Sequence, residues 1–472
     1  MSRVLRHIRS FGEHAMKVGR RKHFRSVCLM SANRFSDVPA IMRGLVSRKD
    51  TLQGGCITEF EALFSRVMGG GYAVSFGSGR VALAAILDAL EIGPDDEVMM
   101  PGYTCVVVPN PVLYRGARPV YADIDKRTLN LDPNDVKRKI TSKTRAIIVQ
   151  HTFGMPCDFD AIAQLARPLG IRLIEDCTHA LGAKYVGQPV GTLGDAAYFS
   201  MEQSKLISTG MGGVAFTRNE ELAPRLAEFQ RQRCVWPEPA DVRLTLSYLL
   251  YLALLRGPRS IVLGDLLAHY LYRLRLMKCP EYTAAELQCR CPPSFLKRLP
   301  NAYARVAISQ LRHLARNLAR RNAVAQVYNR RLPECGFEPP AVPEGCEPVY
   351  LRYPLWVDDK SALVDYLAER EIGIGVWFDS TIHPRVVRFV DAHYKEGSCP
   401  NAESAVRHIV NLPSHPRMNS KDAMRVAAAL ATYREEHLPW HQDTLWLNVM
   451  RVAAVLATSR EERLPRQQVL SR

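Results

Sequence analysis

Ile171-Arg172-Leu173-Ile174-Glu175-Asp176-Cys177-Thr178-His179 and, beyond a Gly-rich turn, Asp195-Ala196-Ala197-Tyr198-Phe199-Ser200-Met201-Glu202-Gln203-Ser204-Lys205 form the stretch that decides the fold. From Ile171 to Ile174 apolar residues run on together and acidic groups appear only at the end, the pattern of a parallel strand buried on both faces. Open α/β sheets place their sites outside the carboxyl ends of such strands, so Asp176 is expected at a strand tip facing a ligand. Ala196 to Ser200 reads as a second strand leading to Lys205. That lysine stands among Ser200, Ser204, Ser208 and Thr209 and is followed by Gly210-Met211-Gly212-Gly213. A lysine near a sheet core, ringed by hydroxyls and given backbone freedom by glycines, is an amine able to lose its proton and form a Schiff base.

Upstream, Val74-Ser75-Phe76-Gly77-Ser78-Gly79-Arg80 precedes the helical run Val81-Ala82-Leu83-Ala84-Ala85-Ile86-Leu87. Small residues just before a helix let backbone N–H groups and the positive end of the helix dipole close on a phosphate. A carboxylate, a lysine and a phosphate cup are what an electron-sink pyridine asks of a protein, and pyridoxal phosphate (PLP) is the expected cofactor. Asp176 would face the ring nitrogen and Lys205 the aldehyde; Ser78, Gly79 and Arg80 would form the cup, with the Ser200 hydroxyl as its fourth side. Each feature alone has a plainer reading: a cap or ion pair for the acid, a tight turn for Gly-Ser-Gly, a solvated amine for the lysine. Their order and spacing together favour the cofactor.

These residues resemble the DegT/DnrJ/StrS-type aminotransferases. The resemblance extends through Thr58-Glu59-Phe60-Glu61, Tyr72-Ala73-Val74, Asp95-Asp96-Glu97-Val98-Met99-Met100-Pro101, Asn110 to Ala117, Pro119 to Asp125, His151-Thr152-Phe153-Gly154-Met155-Pro156 and Leu412-Pro413-Ser414-His415-Pro416. It implies an α/β protein of PLP-transferase fold type I: a mostly parallel seven-stranded sheet sandwiched by helices, plus a smaller C-terminal α/β domain. It implies PLP-dependent amino transfer, with glutamate as donor, to a keto sugar, nucleotide-linked, in polysaccharide or amino-sugar biosynthesis, by a homodimer with shared active sites. Lys205 becomes the Schiff-base lysine and proton shuttle, Asp176 the pyridinium partner, and His179 the group beside the ring hydroxyl, while Gly79, Arg80 and Ser200 take the phosphate. Three positions depart from the family pattern. Arg80 stands where relatives have Thr. Cys105 stands where they place a ring over the cofactor, leaving a softer contact or Tyr103 to serve. Tyr303, two residues before Arg305, stands where they lend an Asn to the partner subunit. His383 and His415 fall where relatives approach substrate. The alternative from a different class is a non-catalytic scaffold of the same fold, docked on a membrane for envelope polysaccharide assembly.

The rest of the chain is read around this core. Of 472 residues, 47% are apolar, enough for a large core of two lobes. Twelve cysteines without pairing rhythm and no signal peptide point to a reduced, cytoplasmic protein. Cys289-Arg290-Cys291 is too closely spaced for a zinc knuckle, and no metal is expected. The net charge of +16 comes with no nucleic-acid motif, so nucleic acid is not expected as a partner. Within a basic N-terminal extension, 1–50, the stretch Arg3 to Arg25 reads as a disordered tail or as a basic amphipathic segment on an anionic membrane, and Ser31 to Gly54 as a transition that shapes the entrance of the site. A PLP-binding large domain is expected over 51–230, with strands at Val98–Met100, Pro119–Ile124, Arg145–His151, Arg172–Asp176, Ala196–Ser200 and Gly213–Thr217 and helices such as Cys105–Leu113 and Phe159–Ala166. Residues 231–297 form an apolar helical insertion that fits the family poorly. Its run Leu244 to Leu255 is too short to cross a bilayer, so the stretch 244–276 is expected as a helical hairpin over the dimer or substrate entrance, or as a peripheral membrane contact. A linking helix (298–332) and a small domain (333–436) follow. The tail 437–472 duplicates the terminal helix, Met424-Arg425-Val426-Ala427-Ala428 recurring as Met450-Arg451-Val452-Ala453-Ala454, and one extra copy makes no solenoid.

Overall fold

The computed structural model describes residues 26–27, 31–47, 49–255, 267–268 and 270–437. The basic stretch 1–25 and the duplicated tail from 438 lie outside the described residues. Seven strands build the central sheet: β1 Tyr72–Phe76, β2 Glu97–Pro101, β3 Arg118–Ala122, β4 Thr144–Gln150, β5 Arg172–Asp176, β6 Ala196–Ser200 and β7 Gly213–Thr217. Their order is β1-β7-β6-β5-β4-β2-β3. All run the same way except β7, which is antiparallel to both neighbours.

Alternation along the strands explains the layers. Val98, Met100, Ala146, Ile148, Ile174 and Ala215 join one core cluster, which includes most of the helix Gly79–Ala89. Met99, Ile147, Val149, Leu173, Val214 and Phe216 join the other, together with Phe60 and Phe64 of the helix Cys56–Val67. Because both faces are covered, the strands read as continuous apolar runs rather than as an alternation.

The first core cluster continues into a smaller C-terminal unit. There β8 (Tyr353–Trp356) pairs antiparallel with β9 (Ile409–Leu412), flanked by helices Lys360–Glu369, Pro400–His408 and Ser420–His437. A short parallel pairing of Thr104–Cys105 with Ile382–His383 stitches this unit to the segment that follows β2. The expected helix over Cys105–Leu113 therefore begins later, at Pro109, and ends at Tyr114. The expected linking helix is two helices, Asn301–Arg312 and Leu314–Glu334, meeting at His313.

The apolar run after Leu244 lies in the helix Pro239–Leu254. Val242, Leu246, Leu249 and Leu252 are each at most 1% exposed, packed in the same cluster as Ile41 and Ala302 of the helices Val38–Val46 and Asn301–Arg312. Its hydrophobicity is thus spent on the chain's own core. Among the described residues, no helix is long and apolar enough to cross a membrane.

Candidate active site

The antiparallel β7 brings distant strand tips together. Gly213 begins β7 and pairs with Phe76 at the end of β1 on one side and with Ser200 at the end of β6 on the other. A Cβ on Gly213 would collide with the Gly79 nitrogen and the Ser78 carbonyl group, and one on Gly79 would lie 3.0 Å from Ser200 Cβ. Only glycine at both places lets Ser78, Gly79 and Ser200 close into one cradle. Ser78 is the N-cap of the helix Gly79–Ala89, its hydroxyl accepting from Val81 N–H at 3.4 Å. The Gly79 and Arg80 amides, first in that helix, have no intrahelical carbonyl to bind and stand at its positive end.

Asp176 ends β5, opposite Tyr198 of β6. It is 3% exposed and is held at both oxygens: Thr178 N–H donates to Oδ1 at 2.9 Å, and the Tyr198 hydroxyl donates to Oδ2 at 2.6 Å. Burial, reinforced by the facing carboxylate, raises the Tyr198 hydroxyl well above its ordinary range, so it stays a donor. Glu175, one residue earlier, points through the opposite face. There it accepts from the amides of Gly191, Leu193 and Gly194 and pins the turn before β6.

Lys205 follows β6 in a loop fixed from several sides. Gln310 receives the Ser208 amide at 2.7 Å and donates to the Ser208 carbonyl at 2.8 Å. Asn33 donates to the same carbonyl and Asn317 to that of Leu206. Burial lowers the basicity of the Lys205 amine; Glu202 opposes that, Arg352 adds to it, and Asp176 and Cys105 oppose it. These influences place Lys205 in one site with Asp176, Arg352 and Cys105.

His179 is neutral. Burial, with the charges of Lys205 and Arg352, holds its pKa well below the ordinary 6.5. Phe153 N–H donates to Nδ1 at 3.2 Å, which leaves Nε2 as the protonated, donating nitrogen. Below pH 6.5 an unfolded chain takes up a proton that the folded site refuses. Stability from this group is therefore full above pH 6.5 and falls as the pH drops below it. In His179→Gln, urea unfolding midpoints are expected to fall less than in the wild type between about pH 7 and pH 5; an equal fall in both proteins refutes the assignment.

Arg80, expected to point into the cup, also pairs through Nε with Glu286 Oε1 at 2.8 Å. Tyr103 is not a ring free to cover a ligand. It is 0% exposed, edge-on to Phe153 and Phe378, and its hydroxyl joins the Trp377 carbonyl and the Phe378 amide. Tyr303, 5% exposed, packs inward in the same cluster as Val242 and Leu246 of the helix Pro239–Leu254, so it serves the chain's own core. His383 Nδ1 lies 2.5 Å from Asp379 Oδ1, and His415 Nδ1 accepts from the Arg417 amide at 3.2 Å. Sequence reasoning missed Tyr198, whose signal was its place on the strand beside Asp176, and it missed Arg352, whose guanidinium stacks 3.9 Å over the Trp377 ring. Arg352 enters from the C-terminal unit, and no local pattern marks it.

A sheet of this order, with a buried carboxylate and a loosened lysine at neighbouring strand ends, is that of a fold type I PLP-dependent transaminase. The chain belongs to the DegT/DnrJ/EryC1/StrS aminotransferase family, whose sequence model matches residues 36–243 and 265–431. Between those two blocks 244–264 falls outside the match, a narrower segment than the 231–297 expected to fit poorly. The chain is 30% identical to GDP-perosamine synthase of Caulobacter vibrioides over 380 residues, covering 80% of this chain and 90% of that one. It is 29% identical over 396 residues to the uncharacterized protein MJ1066 of Methanocaldococcus jannaschii, covering 81% and 92%. Among solved structures, DesV of S. venezuelae, in complex with a ketimine intermediate, superposes with a TM-score of 0.66 at 29% identity, covering 84% of this chain and 94% of that one. The putative sugar aminotransferase Spr1654 of Streptococcus pneumoniae, in its PLP form, shares the fold at a TM-score of 0.69 and 20% identity, covering 87% and 99%. Family membership sets aside the non-catalytic scaffold.

Proposed function

We propose that this enzyme transfers an amino group from glutamate to the keto group of a nucleotide-linked sugar, in amino-sugar or polysaccharide biosynthesis. The observation that carries the reading is the convergence of Asp176, Lys205 and the Ser78-Gly79-Ser200 cradle at neighbouring strand ends around β7. The residues fit PLP: a cradle that a Cβ would fill suits its phosphate, and a buried, doubly held carboxylate suits a protonated ring nitrogen. When bound, PLP supplies an electron-withdrawing ring that accepts the pair left on a substrate carbon after its proton is removed.

The chain's own groups do the rest. Asp176, oriented by Thr178 and Tyr198, would hold a proton on the ring nitrogen. His179 Nε2 would donate to the ring oxygen. The Gly79 and Arg80 amides, the Arg80 guanidinium and the Ser200 hydroxyl would hold the phosphate. Lys205 Nζ, whose proton is loosened by burial, would carry a proton between the substrate carbon and the cofactor in each half of the transfer. A relative named for a GDP-linked product, GDP-perosamine synthase, supports a nucleotide-carried acceptor. The test is transfer of label from ¹⁵N-glutamate to a GDP-linked and a UDP-linked keto sugar by the purified protein. Label in either sugar product is expected; label in neither, with PLP bound, overturns the acceptor class.

A further inference from the structure

Cys105 stands at the mouth of the site and carries no ring, yet a ring closes over it. The Tyr282 hydroxyl lies 3.3 Å from Cys105 Sγ. Tyr282 also feels the charges of Glu202 and Arg80, and Cys105 feels those of Lys205 and Arg80. The hydroxyl end therefore sits on Cys105, on the side of the site that Arg80 flanks, while the residue as a whole is 38% exposed.

The segment bearing Tyr282 is bolted to the cofactor-side helices. Glu286, 1% exposed, pairs with Arg80 Nε. Its second oxygen accepts from the Thr283 amide at 2.8 Å and from the Thr283 hydroxyl at 2.9 Å. Its carbonyl accepts from Asn110 Nδ2 at 3.0 Å, and the Arg290 carbonyl accepts from the Tyr114 hydroxyl at 3.0 Å. A buried carboxylate persists only where its geometry is this well satisfied. Residues 282–290 thus have one place against the helices Gly79–Ala89 and Pro109–Tyr114.

We propose that Tyr282 is a cofactor-contacting residue: its ring walls the face of the bound PLP on the Cys105 side, supplied by the same chain and held by the Arg80–Glu286 pair. The proposal rests on the PLP reading above. An aromatic contact of this kind is worth up to roughly tenfold in affinity. The test dilutes the full-length holoprotein and follows loss of its visible absorbance band. Tyr282→Ala is expected to raise the PLP dissociation constant about tenfold, Tyr282→Phe to stay within about twofold, and Cys105→Phe to restore most of the loss in the Tyr282→Ala background. A Tyr282→Ala value within about twofold of the wild type overturns the proposal. Should Tyr282→Ala fail to fold, Tyr282→Leu is judged by the same criterion. A wild-type protein with no visible band sinks the PLP reading instead, an outcome separate from any behaviour of the variants.

Discussion

Lys205→Ala is expected to lose amino transfer by on the order of 10,000-fold, the upper end of what a positioned proton carrier contributes. The reason is that the Lys205 amine has two jobs at one atom. On the reading proposed above, it would hold the cofactor aldehyde and would carry the proton between the substrate carbon and the cofactor. Burial has already weakened its hold on its own proton. Alanine removes both jobs and leaves the cradle and Asp176 untouched, so the variant should still retain PLP through its phosphate while losing the reducible link to protein. Borohydride reduction followed by peptide mapping reads this directly: the wild type carries label at Lys205 and the variant carries none. Turnover within about tenfold of the wild type sinks the assignment.

Asp176→Asn is expected to lower turnover by about 100- to 1,000-fold, the range for removing one preorganised electrostatic group from an active site. Asparagine keeps the shape: its oxygen can accept from the Thr178 amide, and its NH2 group can donate to the Tyr198 oxygen once that hydroxyl turns, so folding is expected to be preserved. A neutral amide cannot balance a positive ring nitrogen in a site where Tyr198 is itself held neutral. The cofactor then withdraws electrons poorly, and the loss falls on the proton-transfer step rather than on binding. A substrate deuterium isotope effect that grows in Asp176→Asn, with the melting temperature unchanged, checks the mechanism. An unchanged turnover removes Asp176 from the ring nitrogen.

Much of this was legible in the sequence because the deciding signals are local. Phe159–Ala166 is a helix with the bounds expected, and it starts on an aspartate cap: Asp158 accepts from Ala161 N–H. The cofactor-lobe strands were visible because two covered faces leave unbroken apolar runs. What escaped was non-local. Thr104–Cys105 became extended because its pairing partner, Ile382–His383, comes from the other lobe. Pro109 at the first position of the following helix was the local hint of where that helix starts. The turn at His313 carries no proline or glycine to announce it. The roles of Glu286, Tyr282 and Arg352 depend on side chains meeting across the fold, and no spacing rule records such meetings.

The backward course of β7 has a consequence for how the protein is made. Gly213 is the wedge between the tips of β1 and β6, and the lysine loop is gripped by Gln310 and Asn317. A chain emerging from the ribosome therefore holds its first strand and helix long before it holds a pocket. The lysine loop is not braced until the helix carrying Asn317 has been synthesised and docked, so a truncation before that point is expected to leave the sheet with its lysine loop unheld.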